Sequence, residues 1–374
     1  MQLVAALKKL SALVVCSLPL LALADPRYGV TVIGTTEGSA RGINSAGQVV
    51  GNFSISGGTT HAFLYSGASF FDLGTLGGAS SAAWGINDAG QIVGSADNGS
   101  GIGRPFLYSG GSMNDLGTLG GQGGFAWAIN NAGQVVGGAD TAGGSQHPFL
   151  FSGGTMQDLG TLPASYDPPA AAFAINNHGM IAGASGTGDF TPPETAYHGW
   201  VRQGSGPLVD VGTFGGQYSR AYGINDLGDV VGVAATAELH FDNAFLYSNG
   251  ILTPLGVLGG GYAEAYDINN LRQIVGAASG WGVSGGFLYE GGAMLDLTSL
   301  IDPASGWSVF GAYGINDLGQ IAATVCKNRE CFAARLDPLS PVSEPGQQAM
   351  LWTGVALLGA GALRRRGRAM RRCA

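Results

Sequence analysis

The chain has 374 residues, of which 67 are Gly, 45% are hydrophobic and 11% are charged. The hydrophobic content excludes a mainly disordered chain, and the Gly residues lack the period of three that a collagen triple helix requires. Residues 25–341 contain nine Lys and Arg against 24 Asp and Glu, which gives a net charge of −15. Because a body this acidic lacks a positive surface for phosphate backbones, we expect no nucleic-acid partner.

Residues 1–24 have the parts of a secretory signal peptide. Two lysines precede an apolar run, and Ala22 and Ala24 occupy the small-residue positions of an A-x-A cleavage site. We therefore predict cleavage by signal peptidase before Asp25. The alternative is an uncleaved membrane anchor, for which the apolar run is short.

The body of the chain, residues 25–340, is an internal repeat. A phrase of the form aromatic-x-Ile-Asn recurs seven times at intervals of 43 to 49 residues, with Arg41 in the aromatic position of the first copy. The Asn residues of the phrase are Asn44, Asn87, Asn130, Asn176, Asn225, Asn269 and Asn316. A period of this length is typical of β-propellers, whose blades are four-stranded sheets.

Each repeat unit contains four strand-like pieces separated by Gly, Asn or Ser. In the second unit these pieces are residues 83–86, 91–94, 105–108 and 113–116. The first turn of a unit has Asn at its first position and Gly at its fourth, a pattern that suits a type I turn followed by left-handed Gly. The sixth unit has Arg272 in place of this Gly, so we expect local strain or a different turn there.

The two ends of the repeat body are complementary. The seventh unit has no fourth strand of its own, whereas residues 30–35 match the fourth strand of the other units. We therefore predict an all-β fold, a seven-bladed β-propeller of four-stranded repeats whose last blade is closed by the N-terminal strand. An open solenoid is the alternative, although a solenoid prefers polar caps at its ends.

The repeat phrases also carry a family resemblance. His61-Ala62-Phe63 is followed by Leu64-Tyr65-Ser66-Gly67, and the second unit carries the phrase Leu-Gly-Thr-Leu-Gly-Gly from residue 116 to residue 121. These phrases resemble those of the HAF-repeat extracellular proteins, and the resemblance covers nearly all of residues 28–335. The aromatic persists in every unit while His is kept in three, which indicates that packing is the main role of the motif. This family brings no defined biochemical activity with it.

The C-terminal segment, residues 341–374, resembles the PEP-CTERM sorting tail of Gram-negative bacteria. Val342-Ser343-Glu344-Pro345 precedes an apolar run over 349–363 and an Arg cluster, although Ser343 replaces the first Pro of the motif. The resemblance implies recognition and removal of the tail by an exosortase. It also implies a transient inner-membrane anchor, then a location at the cell surface or outside the cell. An ordinary C-terminal membrane anchor is the alternative.

Cysteine use is consistent with export. Of four Cys residues, only Cys326 and Cys331 remain if both end segments are removed. An even pair in an oxidising compartment predicts a disulfide.

Few residues suggest catalysis or metal binding. Three of the five His residues share one repeat position, which favours a structural role, and Asp residues that follow the repeat Asn fit turns better than calcium loops. We expect no metal and no cofactor. The repeat units differ from one another mainly in longer connections at 163–172, 184–198 and 233–243. Loops on a rigid scaffold are where binding function concentrates. The candidate ligand residues there are Asp189, Glu194, Tyr197, Glu238, His240 and Asp242.

These observations predict an exported, non-enzymatic binding or structural module with extracellular polysaccharide or other envelope components as candidate partners. The alternative is a secreted carbohydrate-active hydrolase or lyase. It would require two carboxylates about 5–10 Å apart in one pocket. Asp189 or Glu194 would pair with Glu238 or Asp242.

Overall fold

The computed structural model describes residues 27–164, 167–191, 194–238, 242–280 and 283–339. Within these residues strands are the main secondary structure, and they form five four-stranded sheets and one eight-stranded sheet. The predicted all-β class is confirmed. The predicted signal peptide and sorting tail, with Ala22, Ala24, Asp25, Val342, Glu344 and Pro345, lie outside the described residues.

The first part of the chain contains one separate strand and three antiparallel meanders. The separate strand is β1 (Tyr28–Ile33). The meanders contain β2 (Gly38–Ile43), β3 (Val49–Ser54), β4 (Thr60–Ser66) and β5 (Ser69–Asp72); β6 (Gly77–Ile86), β7 (Ile92–Asn98), β8 (Gly103–Ser109) and β9 (Ser112–Asp115); and β10 (Gly120–Ile129), β11 (Val135–Thr141), β12 (Gln146–Ser152) and β13 (Thr155–Asp158).

The middle of the chain continues the same pattern. The fourth meander contains β14 (Ala170–Ile175), β15 (Met180–Thr191), β16 (Glu194–Gln203) and β17 (Val209–Asp210). The eight-stranded sheet contains β18 (Gly215–Ile224), β19 (Val230–Thr236), β20 (Asp242–Ser248), β21 (Ile251–Gly256), β22 (Gly261–Ile268), β23 (Ile274–Gly280), β24 (Val283–Glu290) and β25 (Ala293–Asp296). Its two halves meet through one parallel pair, Asp242 with Tyr262.

The last sheet combines both ends of the described chain. After two short 3-10 helices, Leu297–Leu300 and Pro303–Ser305, the chain forms β26 (Ser308–Ile315), β27 (Ile321–Lys327) and β28 (Glu330–Pro338). Strand β1 pairs antiparallel with β28 and completes this four-stranded sheet. The N-terminal strand therefore occupies the place predicted for it.

The repeated turn explains why the first two strands of each unit pair. In the second unit Asn87 Oδ1 accepts from the main-chain N–H of Gln91 at 2.9 Å, and Gly90 has a left-handed φ of 75°. Arg272 has a φ of 61° and donates its N–H to the oxygen of Asn269, as the corresponding glycines do. The sixth unit thus keeps the turn and holds a side chain in a backbone conformation that favours Gly.

The core lies between neighbouring sheets and contains the aromatic of the HAF-like motif. This side chain is fully buried in six units, as Phe63, Phe106, Phe149, Trp200, Phe245 and Phe287. A Cβ on Gly94 would lie 2.8 Å from Phe106 Cε1 and 1.9 Å from the oxygen of Ala82. The Gly of the second strand therefore makes room for the aromatic of the third strand and for the backbone of the first.

Hydrogen bonds between the repeat asparagines close the structure into a ring. Asn44 Nδ2 donates to the main-chain oxygen of Asn87 at 3.1 Å, and each later repeat Asn donates to the next in the same way. The cycle ends where Asn316 Nδ2 donates to the oxygen of Asn44 at 2.9 Å. Ile33 and Ala333 of the last sheet also pack with Phe63 of the first, so the two ends of the repeat array are in contact.

Two of the predicted long connections are shorter than expected. Most of residues 184–198 belongs to β15 and β16, which extend to Thr191 and from Glu194. In the third connection, β19 ends at Thr236 and β20 begins at Asp242. Asp189, Glu194, Tyr197 and Asp242 are therefore strand residues. Backbone pairing continues into these segments because the two strands run on as one hairpin.

Candidate functional site

The repeat histidines contact carboxylates within their own sheets. His61 Nδ1 lies 2.9 Å from Asp72 Oδ2, and His198 Nδ1 lies 2.6 Å from Asp210 Oδ2. In the second unit Arg104 replaces His, and its Nε donates to Asp115 at 2.9 Å. The acid in each pair belongs to the strand next to the one that carries the His or Arg. The motif position thus joins the third strand of a unit to its fourth.

His147 makes two such contacts. Its Nδ1 and Nε2 each lie 2.7 Å from a carboxylate, that of Asp158 and that of Asp167. Burial opposes the charged imidazolium, but hydrogen bonds to the two carboxylates outweigh it and raise the pKa of His147.

The acids that follow the repeat asparagines join neighbouring turns. Asp88 Oδ1 accepts from the main-chain N–H of Ser45 at 3.0 Å, and its Oδ2 accepts from Asn131 Nδ2 at 2.7 Å. Burial raises the pKa of Asp88, but these hydrogen bonds outweigh it and leave that pKa below its usual value. In the described part of the chain, no three His, Cys, Asp or Glu side chains are grouped as a metal site.

A central cavity of about 640 Å³ is lined by the first strands of the seven units. The aromatic of each aromatic-x-Ile-Asn phrase contributes to its wall, and the rings contact one another in order around it. The contacts include Trp84 with Trp127, whose centroids are 4.4 Å apart, and Tyr266 with Tyr313 at 5.3 Å. Arg41, which replaces the aromatic in the first unit, lies 4.2 Å from the centroid of Tyr313. The cavity wall therefore includes a layer of six repeat aromatic side chains and one guanidinium.

The residue between the aromatic and the Ile must be small where units approach closely. A Cβ on Gly42 would lie 2.7 Å from the oxygen of Trp84.

In the sixth unit the position between the aromatic and the Ile is Asp267, which lines the cavity. Asp267 Oδ2 accepts from the N–H of Ile315 in the next unit at 2.8 Å, and Oδ1 accepts from its neighbour Ile268 at 2.9 Å. Burial raises the pKa of this carboxyl to about 7, against those two hydrogen bonds.

One side of the cavity is polar. Arg220, two residues before Tyr222 on β18, lines the cavity with its guanidinium 5.5 Å from the ring centroid of Tyr197. On β22, Glu264 accepts hydrogen bonds from Tyr262 and Tyr266. Burial, then the Glu264 carboxylate, raises the pKa of Tyr266. Arg220 and the phenols of β18 and β22 therefore form a polar cluster beside the aromatic layer.

The structure connects two of the predicted ligand residues to this cluster. Tyr197 lines the cavity beside Arg220, and Asp242 accepts a hydrogen bond from Tyr218 on the same strand as Arg220. Glu238 is exposed, and its main-chain oxygen accepts from Thr236 Oγ1 at 3.1 Å.

The side chains of the remaining predicted ligand residues are not among those that the structure describes. Asp189 and Glu194 lie on β15 and β16, but their side chains are outside the description, as is the whole of His240. Each carboxylate pair that the enzymatic alternative requires includes Asp189 or Glu194, so these pairs lie outside the described side chains.

Sequence reasoning missed Arg41, Arg220 and Glu264 as site residues. It used the repeat aromatic only to locate the units. A signal was present, because Tyr218, Arg220 and Tyr222 alternate along one strand and Tyr262, Glu264 and Tyr266 alternate along the next. Units two and four carry only Ala at the position of Arg220, namely Ala82 and Ala171.

The described residues also include the cysteine pair. Cys326 and Cys331 face each other across β27 and β28, with Cα atoms 4.1 Å apart, and are joined by a disulfide. No helix among the described residues has the length and hydrophobicity to cross a membrane.

No protein-family profile matches the sequence, and no curated protein matches it. Solved structures do resemble it. The β-propeller domain of the Trilobed protease from Pyrococcus furiosus superposes with a TM-score of 0.53 at 9% identity, covering 83% of this chain and 100% of that domain. TolB from Acinetobacter baumannii gives 0.40 at 15% identity, over 61% of this chain and 54% of its own. A gluconolactonase from Xanthomonas campestris gives 0.40 at 11% identity, over 84% and 92%. With its four-stranded sheets arranged in a ring, the chain has a β-propeller fold.

Proposed function

We propose that the protein is an exported, surface-associated β-propeller of seven blades that works as a non-enzymatic binding module. The seven-membered asparagine cycle and the pairing of β1 with β28 support seven blades. In this proposal the eight-stranded sheet is two blades, whose strands meet at the parallel pair of Asp242 and Tyr262.

The observation that carries the binding role is the central cavity. Its volume of about 640 Å³ is in the range of small-molecule sites, and its wall combines eight aromatic rings with a few polar groups. Aromatic rings bind the apolar faces of sugars and planar groups without losing much side-chain entropy. The ligand classes that we propose are therefore a saccharide or a peptide side chain that enters this cavity.

Binding is tested by calorimetric titration of the purified protein against a panel of glycans, polysaccharide fragments and short peptides. Trp84→Leu removes one ring from the cavity wall and should weaken binding about tenfold, a typical value for one aromatic contact. Trp307→Leu is the matched control, because Trp307 packs on Phe332 outside the cavity. Equal affinity in the two variants, or the absence of any ligand in the panel, would contradict a binding role for the cavity.

Export and sorting remain part of the proposal and rest on the sequence. In a host with an exosortase, replacing Glu344-Pro345 by Ala-Ala should leave an unprocessed form in the inner membrane. Mass spectrometry of the surface-exposed wild-type protein should find no peptides from Arg364 to Arg372. Their presence would show that the tail is retained, as an ordinary anchor would be.

A further inference from the structure

We infer that the central cavity selects a ligand that carries a carboxylate on a ring, either an acidic sugar or an aromatic acid. This inference rests on the proposed binding function and specifies its ligand. Some polar groups of the cavity already have partners within the protein, and others do not.

The charged residues that line the cavity are two cations and one acid. The cations are Arg41 and Arg220, and the acid is Asp267. Arg220 is half-buried, and no carboxylate of the described residues lies within ion-pair distance of its guanidinium. Burial disfavours its charge, but Tyr222 and the more distant Glu264 outweigh this and raise the pKa of Arg220, so the cation persists. A half-buried cation with no carboxylate in direct contact is suited to an anionic ligand.

The nearby acids, in contrast, already accept hydrogen bonds. Asp267 accepts two main-chain N–H groups, and Glu264 accepts the hydroxyls of Tyr262 and Tyr266. Asp242 accepts the hydroxyl of Tyr218. These carboxylates have used much of their capacity to accept hydrogen bonds from a cationic ligand.

Two further donors of cavity residues have no acceptor. In the part of the chain that the structure describes, Arg41 Nε and Trp127 Nε1 are buried N–H groups without a hydrogen-bond partner. Both groups are donors only, so they add to the positive character of the wall around them. Together with Arg220, these groups give the cavity wall a positive character, which favours a ligand that brings a carboxylate.

The wall also indicates a ring. Trp84, Trp127 and Phe125 contact one another on the side of the cavity formed by β6 and β10, whereas Arg220 lies on β18. The faces of Tyr313 and Tyr197 are already near Arg41 and Arg220. A ligand with an apolar ring face and one carboxylate would match both sides, whereas a cation would meet two guanidinium groups.

The test compares matched probes by calorimetric titration at low and moderate salt. The sugar pair is a galacturonic acid trimer and its methyl ester, and the aromatic pair is 2-naphthoate and its amide. A cationic probe, 2-naphthylmethylammonium, is the third arm. The carboxylate member of at least one pair should bind about tenfold more tightly than its neutral partner. The pair that shows this difference identifies the source of the carboxylate.

Variants assign the selectivity to Arg220. Arg220→Gln should reduce the preference for the carboxylate to about twofold or less, while Arg202→Gln, which replaces a half-buried Arg outside the cavity, should preserve it. Glu264→Gln removes a nearby negative charge and should increase carboxylate affinity by about two- to fivefold. Thermal melting of each variant separates a loss of binding from a loss of folding.

The outcomes distinguish this inference from the proposed function. If neutral and acidic partners bind equally, or the cationic probe binds most tightly, the selection of carboxylates is wrong and the binding function stands. The inference is also wrong if Arg202→Gln removes the preference as fully as Arg220→Gln does. If no probe binds and the wider ligand panel is also negative, the binding function fails, and the inference fails with it.

Discussion

The side-chain amide of Asn316 donates a hydrogen bond of 2.9 Å to the main-chain oxygen of Asn44, although 272 residues separate them. The equivalent bond joins each of the six remaining pairs of consecutive repeat asparagines. Because each of these asparagines is buried, the cycle is a continuous polar ring inside the fold. Networks in which every member has a partner stabilise one arrangement and penalise the loss of any member.

Asn316→Ala should therefore lower the free energy of unfolding by about 1–3 kcal/mol. The change removes the bond to Asn44 and leaves the N–H groups of Leu318 and Gln320 without the Oδ1 acceptor. Asn114→Ala is the control, because Asn114 is exposed and outside the cycle. Chemical denaturation of both variants measures the difference, and equal stability would show that the cycle contributes little.

The contact between β1 and the rest of the ring leads to a second prediction. Ile33 is 2% exposed and packs against Phe63 and Ala333, so Ile33→Ala should cost about 2–5 kcal/mol. Ile251→Ala makes the same change at a site that is 66% exposed and should alter stability by less than about 0.5 kcal/mol. If the two variants have the same melting temperature, β1 is not needed to close the ring.

The ring closure and the turns could be predicted from sequence because each depends on local or repeated signals. The match of residues 30–35 to a fourth strand is visible in the sequence, and so is the Asn-x-x-Gly turn. The polar cluster around Arg220 was not predicted, because β18 carries polar residues on both faces, Gln217 and Ser219 on one and Tyr218 and Arg220 on the other. Alternation therefore does not show which face of β18 lines the cavity, and only closure of the ring decides that.

Asp229 and Arg272 show how two departures from the repeat compensate each other. Most other units have Gln at the position of Asp229 and Gly at that of Arg272. Arg272 Nε donates to Asp229 Oδ2 at 2.8 Å, and Asp229 is only 2% exposed. A lone sequence departure predicted strain at residue 272, but not the partner, because the two positions are 43 residues apart.

Arg272→Gly should destabilise the protein by about 1–2 kcal/mol, because the buried carboxylate loses its counter-ion and the relief of backbone strain only partly offsets this. The double change Asp229→Gln with Arg272→Gly restores the pattern of the other units and should recover most of the loss. A double-mutant cycle by chemical denaturation measures the coupling. Strictly additive effects would show that the two residues act independently.

The disulfide between Cys326 and Cys331 leads to a fourth prediction. It closes a short loop, so the chain-entropy account gives about 2 kcal/mol of stabilisation. Replacing both cysteines by Ser should lower stability by this amount, and reduction of the wild type should have a similar effect. Alkylation of unreduced, exported protein should label neither cysteine. Labelling of both would mean that the bond does not form in the exported protein.

His147 leads to a prediction about pH. Its pKa is raised in the folded state, because hydrogen bonds to Asp158 and Asp167 outweigh the effect of burial. The folded state therefore binds this proton more tightly than the unfolded chain, whose His pKa is about 6.5. The resulting stabilisation is fully present below that unfolded value and is lost as pH rises through the folded value.

His147→Gln should lower the melting temperature more at pH 5.5 than at pH 8.5. His178→Gln is the matched control, because His178 lies in a turn and forms no ion pair with the described residues. A loss that is equal at both pH values for His147→Gln would mean that the contacts stabilise the neutral ring, and the charged pair would then be ruled out.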